Sequence, residues 1–259
     1  MKEEGFDVRI VRYEEIHRIN PKDEEAMIKA IDPRPHEKIL DTFCGYGAVG
    51  KNCLEKEPRI DLWLNDESKV QMERAKENLP KIPSDHFILG HFPNISFPTG
   101  EFDKVVIKMG LHEVPKKEQF KVAKKAFEVL KPHGKFIIWD IMLNKDNQSL
   151  FQKIIRKKDE LADFTLLVKE RYFFTEDEFL EVVKSAGFLK IKDFHTIRYR
   201  FSSLNRLKPE LKNDKNRLHE LNNFIRQVFP EKLKKSLEYR DIGEDIQFNV
   251  TKKIYVMEK

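Results

Sequence analysis

The stretch of sequence that decides the fold is Lys38-Ile-Leu-Asp-Thr-Phe-Cys-Gly-Tyr-Gly-Ala-Val-Gly50. A short apolar run closes at Asp41, and glycines follow at positions 45, 47 and 50. This order is typical of a buried parallel strand that passes through a glycine turn into a helix. Because the first N–H groups of such a helix lack partners, they can receive an anionic group, and Gly45 and Gly47 leave room for it. The stretch therefore predicts a ligand site at the end of the first strand.

The same spacing also suits a dinucleotide, or a turn that binds no ligand, so the flanking residues are needed to choose. Asp66 ends the next apolar run, where an acidic residue can hold the ribose hydroxyls of either kind of cofactor. Asp41 is more selective, because a carboxylate at a buried strand end needs a cation or donors close by. The α-ammonium of S-adenosylmethionine supplies such a cation, and the carboxylate of that cofactor can meet the helix start. Asp41 therefore favours S-adenosylmethionine over NAD.

At these residues the chain resembles the class I S-adenosylmethionine-dependent methyltransferases. The residues from Asp41 to Gly47 look like the family's D-x-x-x-G-x-G motif, and Asn65-Asp66 looks like its ribose-binding acidic position. Phe43 departs from the pattern, since many members carry glycine there. The resemblance implies an α/β fold: a Rossmann-like, doubly wound sheet of about seven strands, mostly parallel with the last strand antiparallel, plus a helical cap.

The resemblance also implies which residues bind the cofactor. His91 follows the third predicted strand, where the family often has an acidic residue beside the adenine amine, and Phe92 can stack on adenine. Lys108 is expected near the exposed end of the fourth strand. The full set expected to bind the cofactor is Asp41, Phe43, Gly45, Tyr46, Gly47, Asp66, Glu67, His91, Phe92 and Lys108.

Later motifs resemble those of methyltransferases that act on small molecules. They are Phe102-Asp103, Leu111-His112, the run from Val129 to Gly134, and the capping box that begins at Thr175. In-line methyl transfer depends chiefly on aligning the acceptor and excluding water, and a base helps when the acceptor carries a proton.

The candidates for that base are His112 and Glu113, because they follow the fourth strand directly. The candidates for substrate binding are Tyr13, His17, Asp140 and Tyr172. No cluster of His, Cys and Asp has the spacing of metal ligands, so no metal site is expected.

Composition bounds the class of protein. The chain has 259 residues, of which 40% are hydrophobic and 36% charged. No apolar run approaches membrane-spanning length, so no transmembrane segment is expected. Cys44 and Cys53 are the only cysteines, and without a framework of pairs they indicate a reducing cytoplasm. The sequence does not predict an oligomeric state.

Composition and predicted elements divide the chain into a core and the segments that cover it. The expected ranges are 1–32 for an N-terminal helical lid, 33–143 for the cofactor-binding core, 144–174 for cap helices, 175–202 and 244–259 for the rest of the core, and 203–243 for a basic helical insert.

The insert carries the positive charge of the chain. Residues 203–240 hold ten Lys or Arg against five Asp or Glu, a surplus equal to the whole net charge of +5. Its apolar residues recur at helical spacing, at Leu218, Leu221, Ile225 and Val228. Such a segment can follow a phosphate backbone, lie on an anionic membrane surface, or cover a pocket with its charges in water. Glu220 and Glu231 interrupt the basic side, so we expect a lid over the acceptor pocket.

Three classes of function stay open at this point. The leading one is an S-adenosylmethionine-dependent methyltransferase that methylates an oxygen, nitrogen or carbon atom of a small molecule. The second is an RNA methyltransferase that uses the insert to bind phosphates, although the insert lacks the interleaved aromatics of a stacking surface. The third is a non-catalytic binding or regulatory protein of the same fold. Intact Asp41, Gly45, Gly47 and Asp66 argue against the third class.

Overall fold

The computed structural model of the chain describes residues 20–259, apart from the side chains of residues 165–167. Strands and helices alternate along that part, as expected for an α/β fold. The strands are β1 (Lys38–Thr42), β2 (Asp61–Asp66), β3 (Phe87–Leu89), β4 (Phe102–Lys108), β5 (Leu130–Ile141), β6 (Lys190–Ser202), β7 (Arg240–Ile242) and β8 (Asp245–Glu258). The α-helices are α1 (Pro21–Ile31), α2 (Ala48–Lys56), α3 (Lys69–Asn78), α4 (Lys116–Val129), α5 (Gln148–Leu161), α6 (Thr165–Glu170), α7 (Glu176–Ala186), α8 (Lys215–Val228) and α9 (Glu231–Lys234).

The described strands form one eight-stranded sheet in the order β3-β2-β1-β4-β5-β8-β6, with β7 paired to β8. Strands β1 to β5 are parallel to one another, whereas β8 runs antiparallel to both β5 and β6. The predicted doubly wound sheet with an antiparallel last strand is confirmed. The strand order reverses between β1 and β4, and ligands of open α/β sheets bind outside the carboxyl ends at such a point.

Strand β7 is absent from the sequence prediction, because it lies in the insert that was expected to be helical. Ile242 pairs with Asp245, so Gly243 and Glu244 alone join β7 to β8. Gly243 has a φ of 72°, and two-residue hairpins need such a positive φ, which glycine adopts without strain. The glycine after Ile242 is therefore the local signal for this hairpin.

Helices cover both faces of the sheet and bury an apolar layer on each. Helices α1, α2 and α3 pack on one face, and α4 and α7 pack on the other. Helix α1 falls within the predicted N-terminal lid, yet Met27 and Ile31 are buried against the sheet. Residues 21–31 are therefore a core helix rather than a lid. Tyr13 and His17, predicted to bind substrate, lie outside the described residues.

The apolar side of α8 is buried in a third cluster, beside α5 and the long ends of β6 and β8. Leu218, Leu221 and Ile225 are each less than 5% exposed. A helix lying on a membrane needs this stripe free to contact lipid, so the packing argues against that role for α8. Within residues 20–259, no helix is long and apolar enough to cross a bilayer. The lid role of residues 203–243 stays a prediction.

Replacing Leu221 by alanine tests whether α8 is part of the core. Leu221 is fully buried, so its truncation should lower the free energy of unfolding by about 2–5 kcal/mol. The matched control is Gln227→Ala on the exposed side of the same helix, which should change it by less than about 0.5 kcal/mol. Urea unfolding measures both. Equal, small effects would show that α8 is not packed as described.

Candidate active site

The turn between β1 and α2 has the backbone that a ligand-binding glycine turn requires. Phe43, Gly45 and Gly47 have φ values of 55°, 55° and 80°. A Cβ on Gly47 would lie 2.9 Å from Leu79 Cδ1, so packing as well as φ demands glycine there. Phe43 occupies the position where many family members have glycine, and its positive φ explains that preference. Its half-buried ring packs on the apolar core.

Asp41 is the polar residue around which this turn is built. Its side chain is 1% exposed, and Oδ2 accepts a hydrogen bond from the Gly50 N–H at 3.0 Å. Oδ1 is buried and has no hydrogen-bond partner in the part of the chain described. Burial raises the pKa of Asp41 to about 7, although the hydrogen bond from Gly50 and the attraction of Lys108 lower it in part. A buried acceptor without a donor fits an incoming ammonium group.

Asp66 ties the end of β2 to the same turn. Its carboxylate accepts hydrogen bonds from the Gly45 N–H at 2.8 Å and from the Ser68 N–H at 2.9 Å. The neighbouring Asn65 side chain accepts from the Thr42 hydroxyl, which joins β1 to β2. Asp66 is half-buried at the carboxyl end of its strand, as expected of a residue that binds ribose. Its role in binding the cofactor stays a prediction.

The remaining predicted cofactor residues fall into two groups. His91, Glu67 and Tyr46 lie at the surface near the turn, and His91 Nδ1 is 3.2 Å from Glu67 Oε2. Phe92, by contrast, is 2% exposed and packs in the apolar core beside Phe97. The prediction that Phe92 stacks on adenine is wrong, because the residue begins a 3-10 turn that directs its ring inward.

Lys108 ends β4 on the same side of the sheet as Asp41. It is half-buried, and its ammonium lies 5.1 Å from the centroid of the Trp139 ring. Burial lowers the pKa of Lys108, while Glu24 and Asp41 attract its charge and oppose that shift. Lys108 therefore adds a cation to the edge where β1 and β4 end, as predicted.

The geometry does not fit the predicted catalytic role of His112 and Glu113. His112 is 3% exposed, and its Nδ1 and Nε2 face Asp140 Oδ1 at 2.5 Å and Glu113 Oε1 at 3.2 Å. Burial opposes a charge on His112, but both carboxylates attract it, so its pKa is raised. An imidazolium held at both nitrogens cannot take a proton from an acceptor. The structure makes His112 a positioning group between two carboxylates.

Asp140 and Tyr172 likewise form hydrogen bonds within the fold. Asp140 is fully buried and accepts hydrogen bonds from the backbone N–H groups of Leu111, His112 and Ile141. It therefore shapes the turn that follows β4. The Tyr172 hydroxyl donates to Glu178 at 2.7 Å and accepts from side chains of α4 and α5. These hydrogen bonds occupy both side chains within the fold, and their contacts with substrate stay predictions.

A line of buried charges extends from His112 into the insert. Glu113 accepts from Arg171 at 2.6 Å, and Arg171 also lies 3.0 Å from Asp159 of α5. Asp159 pairs with Lys158, which pairs in turn with Glu210 of the insert. Every member is at most 9% exposed. These pairs join the sheet, the cap helices and the insert into one unit.

Comparisons with known proteins give a family match and several similar proteins. Residues 39–134 match a family model described as a methyltransferase domain. The ubiquinone/menaquinone biosynthesis C-methyltransferase UbiE of Rickettsia bellii is 29% identical over 181 residues, covering 61% of this chain and 71% of that protein. The solved structure of the YcgJ protein of Bacillus subtilis has a TM-score of 0.74 at 14% identity, covering 93% of this chain and 99% of that one. Phosphoethanolamine N-methyltransferase 2 of Haemonchus contortus, in complex with phosphomonomethylethanolamine and S-adenosylhomocysteine, has a TM-score of 0.57 at 17% identity and covers 100% of this chain and 59% of that one.

The chain carries a methyltransferase domain and is similar to S-adenosylmethionine-dependent methyltransferases. The residues that match the family model include Asp41, the glycine turn, Asp66 and Lys108. The cap helices, the insert and β8 lie beyond the residues that the family model matches.

Sequence reasoning missed the buried cations of this methyltransferase. Arg171 pairs with residues far from it in sequence, and no local pattern identifies such pairs. Lys252 could have been found, because it falls between Val250 and Ile254 at the period-two spacing of the buried side of β8. A lysine at a core-facing position of a strand is a signal for a buried charge.

Replacing His112 by glutamine tests whether the methyltransferase holds it as an imidazolium. Because the folded-state pKa is raised, protonated His112 contributes stability below its unfolded pKa and loses it as pH rises through the folded pKa. His112→Gln should therefore cost about 3–5 kcal/mol at pH 6 and clearly less at pH 9. Urea unfolding at both values, with exposed His133→Gln as control, measures the difference. A cost that stays constant or grows with pH would contradict the assignment.

Proposed function

We propose that this methyltransferase binds S-adenosylmethionine across the ends of β2, β1 and β4 and methylates a small molecule placed beyond β4. The observation that carries the proposal is Oδ1 of Asp41, a buried acceptor with no donor among the described residues. It lies at the strand end where the turn to α2 begins, and an ammonium group of the cofactor would satisfy it.

The other contacts follow from the positions of the side chains. Asp66, at the carboxyl end of β2, would hold ribose hydroxyls. Gly45 and Gly47 keep the turn free of Cβ atoms, and the N–H groups at the start of α2 favour a carboxylate. Tyr46, Glu67 and His91 would border the nucleoside.

S-adenosylmethionine supplies an electrophilic methyl group on its sulfonium sulfur. The chain's contribution is to hold the acceptor in line and keep water out, which can account for most of the rate enhancement. His112 is not available as the base, since both of its ring nitrogens face carboxylates. If the acceptor carries a proton, a group other than His112 must therefore remove it.

The acceptor site is expected on the β5 side of the cofactor. The cofactor would extend from Asp66 on β2 to Asp41 on β1, so the space at the ends of β4, β5 and β8 is left for the acceptor. The insert and the cap helices pack beside that edge. The relative in Rickettsia bellii, named for ubiquinone/menaquinone biosynthesis, supports a small-molecule acceptor.

Half of the ten basic residues of the insert are already paired with carboxylates. Those pairs involve Arg206, Lys212, Arg217, Arg226 and Lys234. Pairing lowers the charge that the insert could offer to a phosphate backbone. The RNA alternative and the cytoplasmic location stay predictions.

Titration calorimetry with S-adenosylhomocysteine, the demethylated product, tests the cofactor assignment. The product should bind and NAD should not. Asp41→Asn should weaken binding by about 1–3 kcal/mol, because a charge-assisted hydrogen bond is lost. Asp85→Asn, an exposed carboxylate away from the turn, is the matched control and should bind as the unchanged protein does. NAD binding without binding of the product would contradict the proposal.

Transfer of labelled methyl groups identifies the kind of acceptor. Label should enter small molecules of a cell extract, and intermediates of ubiquinone and menaquinone biosynthesis are assayed separately because of the named relative. Label in RNA instead, with binding that weakens steeply as salt rises, would favour the RNA alternative.

A further inference from the structure

Lys252 of β8 is the starting point for a further inference about the acceptor. Five lysine and arginine residues in the described part of the chain are buried, and four of them lie within 4.0 Å of a carboxylate: Lys104, Lys158, Arg171 and Arg206. Lys252, the fifth, is 8% exposed and has no carboxylate within that distance among residues 20–259. A buried ammonium without a counter-ion is costly and calls for a partner.

Lys252 contacts an aromatic ring, which does not neutralise its charge. Its Nζ lies 3.8 Å from the centroid of the Tyr199 ring, a cation–π contact. Burial lowers the pKa of Lys252 to about 7, and Arg206 and Lys108 shift it the same way against Asp140 and Asp23. Lys252 therefore lies among charges of both signs, and burial is the main reason that its charged form is disfavoured.

A second unsatisfied donor lies beside Lys252. Trp139 is 2% exposed, and its buried indole Nε1 has no hydrogen-bond partner in the described residues. Trp139 pairs with Ile254 across β5 and β8, so Lys252 is its diagonal neighbour, at roughly 7–8 Å. Lys108 pairs with Trp139 on the other side and lies over its ring. Two lysines and a tryptophan with an unpartnered indole N–H thus lie on one face of the sheet, at the carboxyl ends of β4 and β5.

The position of Lys252 separates it from the cofactor's own carboxylate. Asp41 is on β1, and β4 and β5 lie between β1 and β8. Three strand spacings of about 4.8 Å place Lys252 about 14 Å across the sheet from Asp41. The cofactor extends the opposite way, toward Asp66 on β2, so Lys252 lies on the acceptor's side.

We infer that the acceptor is an anion, whose phosphate or carboxylate group is bound by Lys252 and the Trp139 indole N–H, with Lys108 nearby. This inference rests on the proposed function, since it concerns the acceptor of the same site. The anionic group binds without reacting. It neutralises the unpaired ammonium and holds the acceptor against the sheet edge while the reacting atom faces the cofactor.

Ligand-observed NMR with three simple probes tests the inference. Inorganic phosphate, acetate and glycerol are titrated into the protein with and without S-adenosylhomocysteine. Phosphate or acetate should bind and neutral glycerol should not, and the preferred anion tells a phosphate ester from a carboxylate acceptor. Lys252→Gln should weaken anion binding by about tenfold or more, as expected for a lost bond to a charged group. Trp139→Phe should weaken it several-fold while keeping the ring.

Two controls keep the result interpretable. Lys190→Met removes an exposed lysine of β6 and should leave anion binding unchanged. Lys252→Gln should keep its affinity for S-adenosylhomocysteine within about twofold, which also shows that the variant is folded. Anion binding that is absent from the natural sequence, or equal in Lys252→Gln, would overturn the inference. Equal losses of anion and S-adenosylhomocysteine binding would also overturn it, because the site would then serve the cofactor.

The inference and the proposed function fail separately. If S-adenosylhomocysteine binds and the anions do not, the cofactor site stands and the anionic acceptor is wrong. If the anions bind through Lys252 but S-adenosylhomocysteine does not bind, the proposed function is wrong and Lys252 marks an anion site of another activity.

Discussion

The hydrogen bond from the Gly50 N–H to Asp41 is the constraint on which the site depends. It holds the end of β1 against the first turn of α2 and fixes a carboxylate in the interior. Burying that carboxylate costs free energy, and one N–H satisfies only one of its two oxygens. The positive φ values of Phe43, Gly45 and Gly47 follow from bringing the strand and helix this close. The turn thus has the shape and the unmet acceptor of a cation site before any ligand binds.

A second constraint joins the insert to the sheet. The buried charges from His112 through Arg171 and Lys158 to Glu210 connect elements that are distant in sequence. Buried ion pairs add little net stability, but losing one partner leaves a charge stranded in the interior. Such a network penalises any other arrangement of the cap helices and the insert. It explains why His112 serves position rather than proton transfer.

Local signals predicted the parts of the fold that local forces determine. The glycine turn lies between β1 and α2 as predicted, and the capping box of α7 forms between Thr175 and Glu178. The sequence analysis did not predict the β7 hairpin, although Gly243 is a local signal for its turn. Predictions failed where residues distant in sequence determine the contacts of a side chain. Arg171 donates a hydrogen bond to Glu113, which is 58 positions away, and no spacing rule predicts such a pair. Phe92 was misplaced because an exposed turn residue and a buried one look alike in sequence.

Proton release on cofactor binding tests whether the buried Asp41 carboxylate receives the ammonium group of the cofactor. With a pKa of about 7, Asp41 is mostly protonated at pH 6 in the free protein, and an ammonium beside it would favour the ionised form. Calorimetry of S-adenosylhomocysteine binding at pH 6, in two buffers of different ionisation enthalpy, counts the protons exchanged. Close to one proton should be released, and none from Asp41→Asn. Binding without proton release, or the same release from Asp41→Asn, would contradict this role of Asp41.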